Sequence, residues 1–251
     1  SSLIKSKIYK QGISPQNRVS RLKRLMDVKK IVRVIESHNA LTGLIIEEMH
    51  IIQKNVRKEF DAMWSSSLTD SLTKGKPDNQ SVDYSSRING INDIMDVTTK
   101  PIIFDADNGG RIEHLSYLVK TLERLGVSAI VLEDKIGEKK NSLFLDQKNN
   151  KQDSVKNFCK KINIATEAKI SSDLMVVARV ESFILGKGLK DALLRAEKYS
   201  KAGADAILIH SKLKNPSEIF EFSKKFNKSK FSKPLIAVPS TYSKTTEKLL
   251  E

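Results

Sequence analysis

The chain has 251 residues, 39% of them apolar, and a formal net charge of +14. That length suits one large α/β domain, and no apolar run approaches the roughly 20 residues of a membrane-crossing helix. Of the 44 basic residues the lysines are scattered along helical faces with few aromatics among them, a pattern of solvated surface more often than of a nucleic-acid groove, and one whose field draws small anions.

A single cysteine, Cys159, excludes an intrachain disulfide, and SSLIKSKIYKQG at the start lacks the apolar core of a secretory signal. The expected setting is the cytoplasm. Residues 1–17 read as an arm and 18–251 as one barrel domain. Ser14-Pro15 opens a helix over Arg18–Lys30, with Val19, Leu22 and Leu25 on one face. Ile31–Glu36 is the first strand. Leu41–Asn55 reads as a helix carrying Leu41, Leu44, Ile45, Met49 and Ile52 on one side, which places His50 inside it. Phe60–Ser65 is the second strand, and Ser66–Gln80 a polar loop.

Tyr84–Val97 is helical, and Pro101–Gly110 (PIIFDADNGG) carries the third strand. Its apolar run is short enough to be a strand buried on both faces. Glu113–Leu125 forms a helix containing His114 and closed by Gly126. Ala129–Glu133 is the fourth strand, followed by the long polar segment Asp134–Asp153, of the kind that serves as a lid. Helix Ser154–Ala168, strand Leu174–Val180, helix Leu189–Ala202 ended by Gly203, strand Ala206–His210, helix Pro216–Phe226 and strand Pro234–Pro239 follow; Ser243 begins a last helix. Seven βα units argue for a parallel sheet, and their rhythm, with no GxGxxG after the first strand, favours a (β/α)8 TIM-type barrel whose eighth unit is not in this sequence.

In such a barrel the strand C-termini carry the chemistry. Here they read His38-Asn39, Trp64 to Ser66, Asp105 to Asp107, Glu133-Asp134, Arg179 to Glu181 and His210-Ser211-Lys212. Acids offer hard oxygens to a divalent cation, arginine clamps carboxylate or phosphate, and histidine donates to a phosphoryl oxygen. Each has a plainer reading. Asp105 and Asp107 also suit a turn with glycines, Trp64 a core, Lys139 a surface, and His210 a satisfied strand end; Arg179 could pair with Glu181. His50 and His114 read as ordinary surface or core residues, and Cys159 as structural.

EDKIGEKKNS (Glu133–Ser142) resembles the gating-loop signature of the phosphoenolpyruvate mutase family, in the isocitrate lyase superfamily. WSSSLTDSLTKGKPD, DADNGG, ARVES and ADAILIHSK are similar to that family as well, so the resemblance runs from about Arg18 to the end. It implies interconversion of phosphoenolpyruvate and phosphonopyruvate with Mg²⁺, the carbon–phosphorus bond-forming step of phosphonate synthesis. By resemblance Asp105 contacts Mg²⁺, while Asp107 and Glu133 hold its waters. Trp64, Ser66, Ser67, Leu68, Ser142 and Leu143 line the substrate, with Ser66 and Leu68 at its carboxylate end. Asp78, Asn141, Arg179 and His210 surround the phosphoryl group, and Lys139 and Asn141 ride on the closing loop. Ala40, Thr42 and Ser67 depart from the family's commonest pattern. The resemblance also implies a homodimer or homotetramer and no membrane or nucleic-acid partner. Phosphonopyruvate hydrolase is the nearest alternative. A (methyl)isocitrate lyase is disfavoured, because the Glu133–Ser142 loop has no cysteine. A basic nucleic-acid-binding protein is the alternative outside enzymes.

Overall fold

The computed structural model describes residues 12–137, 139, 142 and 150–251. The chain divides into two compact units, each described by itself. The first takes the chain to Asp105 with Lys120–Ala129 and Ile170–Leu174; the second is Ala106–Val119, Ile130–Lys169 and Met175–Glu251.

The first unit opens with α1 (Pro15–Val28), started by Ser14, whose side chain accepts from Asn17 N, and by proline at the first helical position. Strand β1 (Val34–Glu36) leads into α2 (Ala40–Glu48), where Asn39 and Thr42 cap each other reciprocally. Thr42 thus has a structural task at its departure from the family pattern. The helix stops at Glu48, short of the expected Asn55. His50–Gln53 (β2) and Val56–Glu59 (β3) instead form an antiparallel hairpin. Lys54 and Asn55 take positive φ at its turn, and β-branched Ile51, Ile52 and Val56 favour the extended state. His50 therefore sits on a strand.

Strands β1, β4 (Ala62–Ser65) and β5 (Ile102–Asp105) run parallel in the order β1-β4-β5. The segment expected as a loop after Ser66 contains a short helix, α3 (Ser67–Leu72). Helix α4 (Tyr84–Met95) is capped by Asp83, which accepts from Ser86 N at 2.8 Å. Arg18, buried on α1, donates to the carbonyls of Met95, Thr98 and Lys100 at 3.1, 2.6 and 3.2 Å, holding the chain that leads into β5. All four residues of β5 are buried, as a strand covered on both faces requires.

The second unit contains β6 (Ala129–Glu133), β9 (Met175–Val180), β10 (Ala206–Ile209) and β11 (Leu235–Ala237), in that order, with β10 parallel to both neighbours. Helices α6 (Val155–Ala168), α7 (Gly188–Lys201) and α8 (Ser217–Phe226) alternate with them, while α5 (Ile112–Leu125) precedes β6. Phe158 of α6 meets Tyr199 of α7 edge to face at 4.6 Å, a contact worth about 0.5–1.5 kcal/mol beyond its buried area. The segment after β6 is not wholly irregular: β7 (Lys135–Ile136) pairs antiparallel with β8 (Lys151–Gln152), so its two legs run side by side. The last helix is a single turn, α9 (Glu247–Leu250). Among the described residues no helix is long and apolar enough to cross a membrane.

Gly126 closes α5 with φ of 100°, and a Cβ there would meet the Cα of Pro15 at 3.0 Å. Gly126→Ala is expected to cost about 1–3 kcal/mol in chemical denaturation. Gly90→Ala, inside α4 with open space around it, is expected to add about 0.5–1 kcal/mol.

Candidate active site

In the first unit the residues singled out by sequence gather at the ends of β4 and β5. Ser65 ends β4, Ser66 caps α3 and Ser67 begins it; all three are buried. Ser67 Oγ donates to Asp105 Oδ2 at 3.3 Å, and Asp105, closing β5, is only 6% exposed. Trp64 is half-buried, its carbonyl accepting from Ser37 N at 3.0 Å. Leu68 is half-buried on α3, and Asp78 half-buried in a turn beyond that helix.

In the second unit Asp107 takes φ of 50°, a left-handed conformation that aspartate tolerates. Its carbonyl accepts from Glu133 N at 2.8 Å and its carboxylate meets the Lys139 ammonium. Gly109 has φ of 79°, and a Cβ there would lie 3.0 Å from Leu132 Cδ2, so this turn position calls for glycine.

Glu133 closes β6 and is buried, 3.8 Å from Arg179 Nε. Burial pushes its carboxyl up to about 8; Arg179 opposes that rise and Glu181 adds to it. Arg179 Nε donates to Glu181 Oε1 at 2.5 Å, the structural pairing already open from sequence. Ser142 Oγ accepts from Lys135 Nζ at 2.8 Å and Arg179 Nη2 at 2.9 Å, and donates to Glu181 Oε2 at 2.8 Å. That uses the hydroxyl's one proton and both lone pairs. Burial alone would raise Glu181, but Arg179, Lys135 and His210 outweigh it and hold the carboxyl below its usual range.

His210 follows β10, is buried, and its Nδ1 has no partner among the described residues. Burial, then Arg179 and Lys135, push it down to about 4, so the ring is neutral at neutral pH and donates from one nitrogen only. Asn141 and Leu143 lie outside the described residues.

The second unit thus brings Asp107 and Lys139 together, and Glu133, Arg179 and Ser142 with Glu181. A half-buried Arg179 and a buried Lys135, both set against Glu181, stand beside a neutral imidazole, the types of group that meet a phosphoryl or carboxylate oxygen. Asp107 and Glu133 offer the hard carboxylate oxygens that a divalent cation takes. Among the described residues no three His, Cys, Asp or Glu side chains enclose an ion.

The family model "Phosphoenolpyruvate phosphomutase" matches residues 22–251. A phosphoenolpyruvate phosphomutase of Tetrahymena pyriformis is 38% identical over 234 residues, covering 93% of this chain and 74% of that protein. The chain belongs to the phosphoenolpyruvate phosphomutase family. The crystal structure of a phosphoenolpyruvate phosphomutase from Streptomyces platensis subsp. rosaceus superposes with a TM-score of 0.82 at 30% identity, covering 95% of this chain and 77% of that one. A phosphonopyruvate hydrolase in complex with oxalate and Mg²⁺ gives 0.80 at 31% identity, with coverages of 95% and 76%. The fold is accordingly the α/β TIM-type fold of the phosphoenolpyruvate mutase/isocitrate lyase superfamily, as the βα rhythm predicts.

This phosphoenolpyruvate phosphomutase family member also holds site-adjacent residues that sequence reasoning missed. Lys135 and Glu181 lie within the quoted motifs, but only the fold shows that they neutralise each other. Asp134 accepts from Glu181 N, Tyr199 Oη, Arg195 Nη1 and Gln152 Nε2 at 2.9, 2.7, 3.2 and 2.9 Å, tying the ends of β6 and β9 to α7 and β8. Arg87 and Asp70, a buried pair 2.8 Å apart, had no local signal at all.

Because folded His210 sits near 4 and the free side chain near 6.5, the unfolded chain binds a proton between those values that the folded chain refuses. The resulting stability is complete above about 6.5 and is lost as pH falls toward 4. His210→Gln is expected to flatten this slope, read as the difference in denaturant midpoint between pH 7 and pH 5.

Proposed function

We propose that the protein is a Mg²⁺-dependent phosphoenolpyruvate mutase that interconverts phosphoenolpyruvate and phosphonopyruvate, working in the cytoplasm as a homo-oligomer. The observation that carries this reading is the buried group at the ends of β6, β9 and β10. Arg179 and Lys135 supply fixed positive charge and His210 a neutral ring, beside the acid Glu133. Supporting it is the 38% identity to a phosphoenolpyruvate phosphomutase.

In the forward direction the P–O bond to the enol oxygen breaks and a P–C bond forms at C3, with no net gain or loss of protons. The transferring group spreads charge over its oxygens, so placed donors matter more than a strong nucleophile. Arg179 and His210 hold those oxygens, together with Asn141 and Asp78. Ser66, Ser67 and Leu68 orient the carboxylate end of the substrate against Trp64, and Ser142 and Leu143 line it from the loop. Lys139 and Asn141 close over the site and exclude water, which would otherwise capture the phosphoryl group. Asp105 contacts the metal, and Asp107 and Glu133 hold its waters. Mg²⁺, when bound, supplies the positive charge that stabilises the pyruvate enolate. The positive field of the chain, +14 overall, draws in this polyanionic substrate.

Phosphonopyruvate hydrolysis is the second reading, favoured by the hydrolase that superposes at a TM-score of 0.80. Phosphorus NMR of the protein with phosphonopyruvate, with and without Mg²⁺, separates the two. A Mg²⁺-dependent phosphoenolpyruvate signal is the expected result; inorganic phosphate with pyruvate identifies the hydrolase, and an unchanged spectrum overturns both. Asp105→Ala is expected to lower Mg²⁺-dependent kcat/KM by about 10³-fold, the loss of several kcal/mol of charge stabilisation. A variant turning over at the wild-type rate would remove Asp105 from the metal site.

A further inference from the structure

Asp105 is the last residue of β5. What meets it is Arg87, 3% exposed on α4. Its Nη1 donates to the Asp105 carbonyl at 2.6 Å and its Nη2 to the Ser65 carbonyl at 3.3 Å. These two carbonyls belong to the terminal residues of the neighbouring parallel strands β5 and β4. The third side of the guanidinium is also held, with Nε donating to Asp70 Oδ2 at 2.8 Å. Ser65 Oγ donates to that same oxygen at 3.0 Å. Below the plane lies the Phe104 ring, its centroid 4.2 Å from Arg87 Cζ. The fork is therefore fixed in every direction before it touches Asp105.

Beyond the backbone, Ser67 Oγ donates to the Asp105 carboxylate at 3.3 Å, from the first residue of α3. Asp70 lies on that same short helix, so the Asp70–Arg87 pair ties α3 to the end of β5. Backbone and carboxylate of Asp105 are thus set by one connected group. We infer that Arg87 is a positioning residue for Mg²⁺: it fixes the end of β5 so that the Asp105 carboxylate is presented to the metal in one orientation. This rests on the reading of Asp105 as the metal ligand. Groups that orient a ligand from behind it change metal affinity by about 10–100-fold when removed. A planar fork that reaches two carbonyls and a carboxylate at once is a task lysine cannot perform.

The test uses Arg87→Lys, which keeps the charge opposite Asp70 but cannot span both carbonyls. Calorimetric titration of the full chain with Mg²⁺ alone is expected to show affinity weakened about 10–100-fold. Turnover of phosphonopyruvate, followed by phosphorus NMR, should fall at low Mg²⁺ and return toward the wild-type kcat as Mg²⁺ is raised, a rescue that general loosening of the fold would not give. A folded variant that binds Mg²⁺ as tightly as wild type overturns the inference, as does lost activity that no Mg²⁺ concentration restores. Should Arg87→Lys fail to unfold cooperatively, Asp70→Asn decides, since it keeps the shape of the partner while loosening the guanidinium. Weakened Mg²⁺ affinity then supports the role and unchanged affinity overturns it. Wild-type protein that binds no Mg²⁺ would overturn the reading of Asp105 itself, an outcome distinct from wild-type binding that Arg87→Lys leaves untouched.

Discussion

Charge buried at the ends of parallel strands is the constraint on which the second unit depends. Glu181 has no exposed surface, and an isolated carboxylate there would shed its charge. Arg179 and Lys135 stand against it, and Ser142 bridges all three through one hydroxyl. One residue beyond Glu133, Asp134 gathers four donors, from Glu181, Tyr199, Arg195 and Gln152. Removing one member of such a group would leave another charge buried and unmatched, typically at about 3–5 kcal/mol. The strand ends are therefore stiff because they are charged, and a stiff set of donors is what transfer of a charged group requires.

The first unit meets the same constraint differently. Its buried cations lean on backbone carbonyls. Arg18 takes the carbonyls that follow α4, Lys100 donates to Phe60 at 2.7 Å, and Arg87 grips the ends of β4 and β5. A cation on a carbonyl orders irregular backbone where no ladder or helix can, and each of these lies where the chain enters or leaves a strand. Acids serve the same end: Glu47 accepts from both hydroxyls of Thr98 and Thr99, just ahead of β5. The rim is held by side chains.

Within the second unit the buried charges have two chemical consequences. Burial, then Arg179, keeps His210 neutral, while burial, against the pull of Arg179, presses Glu133 toward the protonated state. One neighbourhood favours incoming negative charge and the other incoming positive charge.

Much of this was legible in the order of residues alone. Apolar runs ended by polar groups place seven strands, since a strand buried on both faces needs unbroken apolar sequence. Gly126 and the helix starts at Ser14-Pro15 and Ser154 mark turns and helix ends through local backbone chemistry. The motif residues Asp105, Asp107, Glu133, Arg179 and His210 stand out because polar groups abruptly close those runs. The hairpin His50–Glu59 departs from the helical reading, because Met49 and Ile52 extend a helical pattern whose end depends on the turn at Lys54-Asn55. Which charges neutralise which was not legible either. Asp70 and Arg87 are 17 residues apart and Asp134 and Arg195 are 61, and no local period links such positions. Local sequence determined the strands, the turns and the identity of the polar residues at the rim. Only tertiary structure decided their partners, because a buried charge is matched by whatever the fold brings within reach.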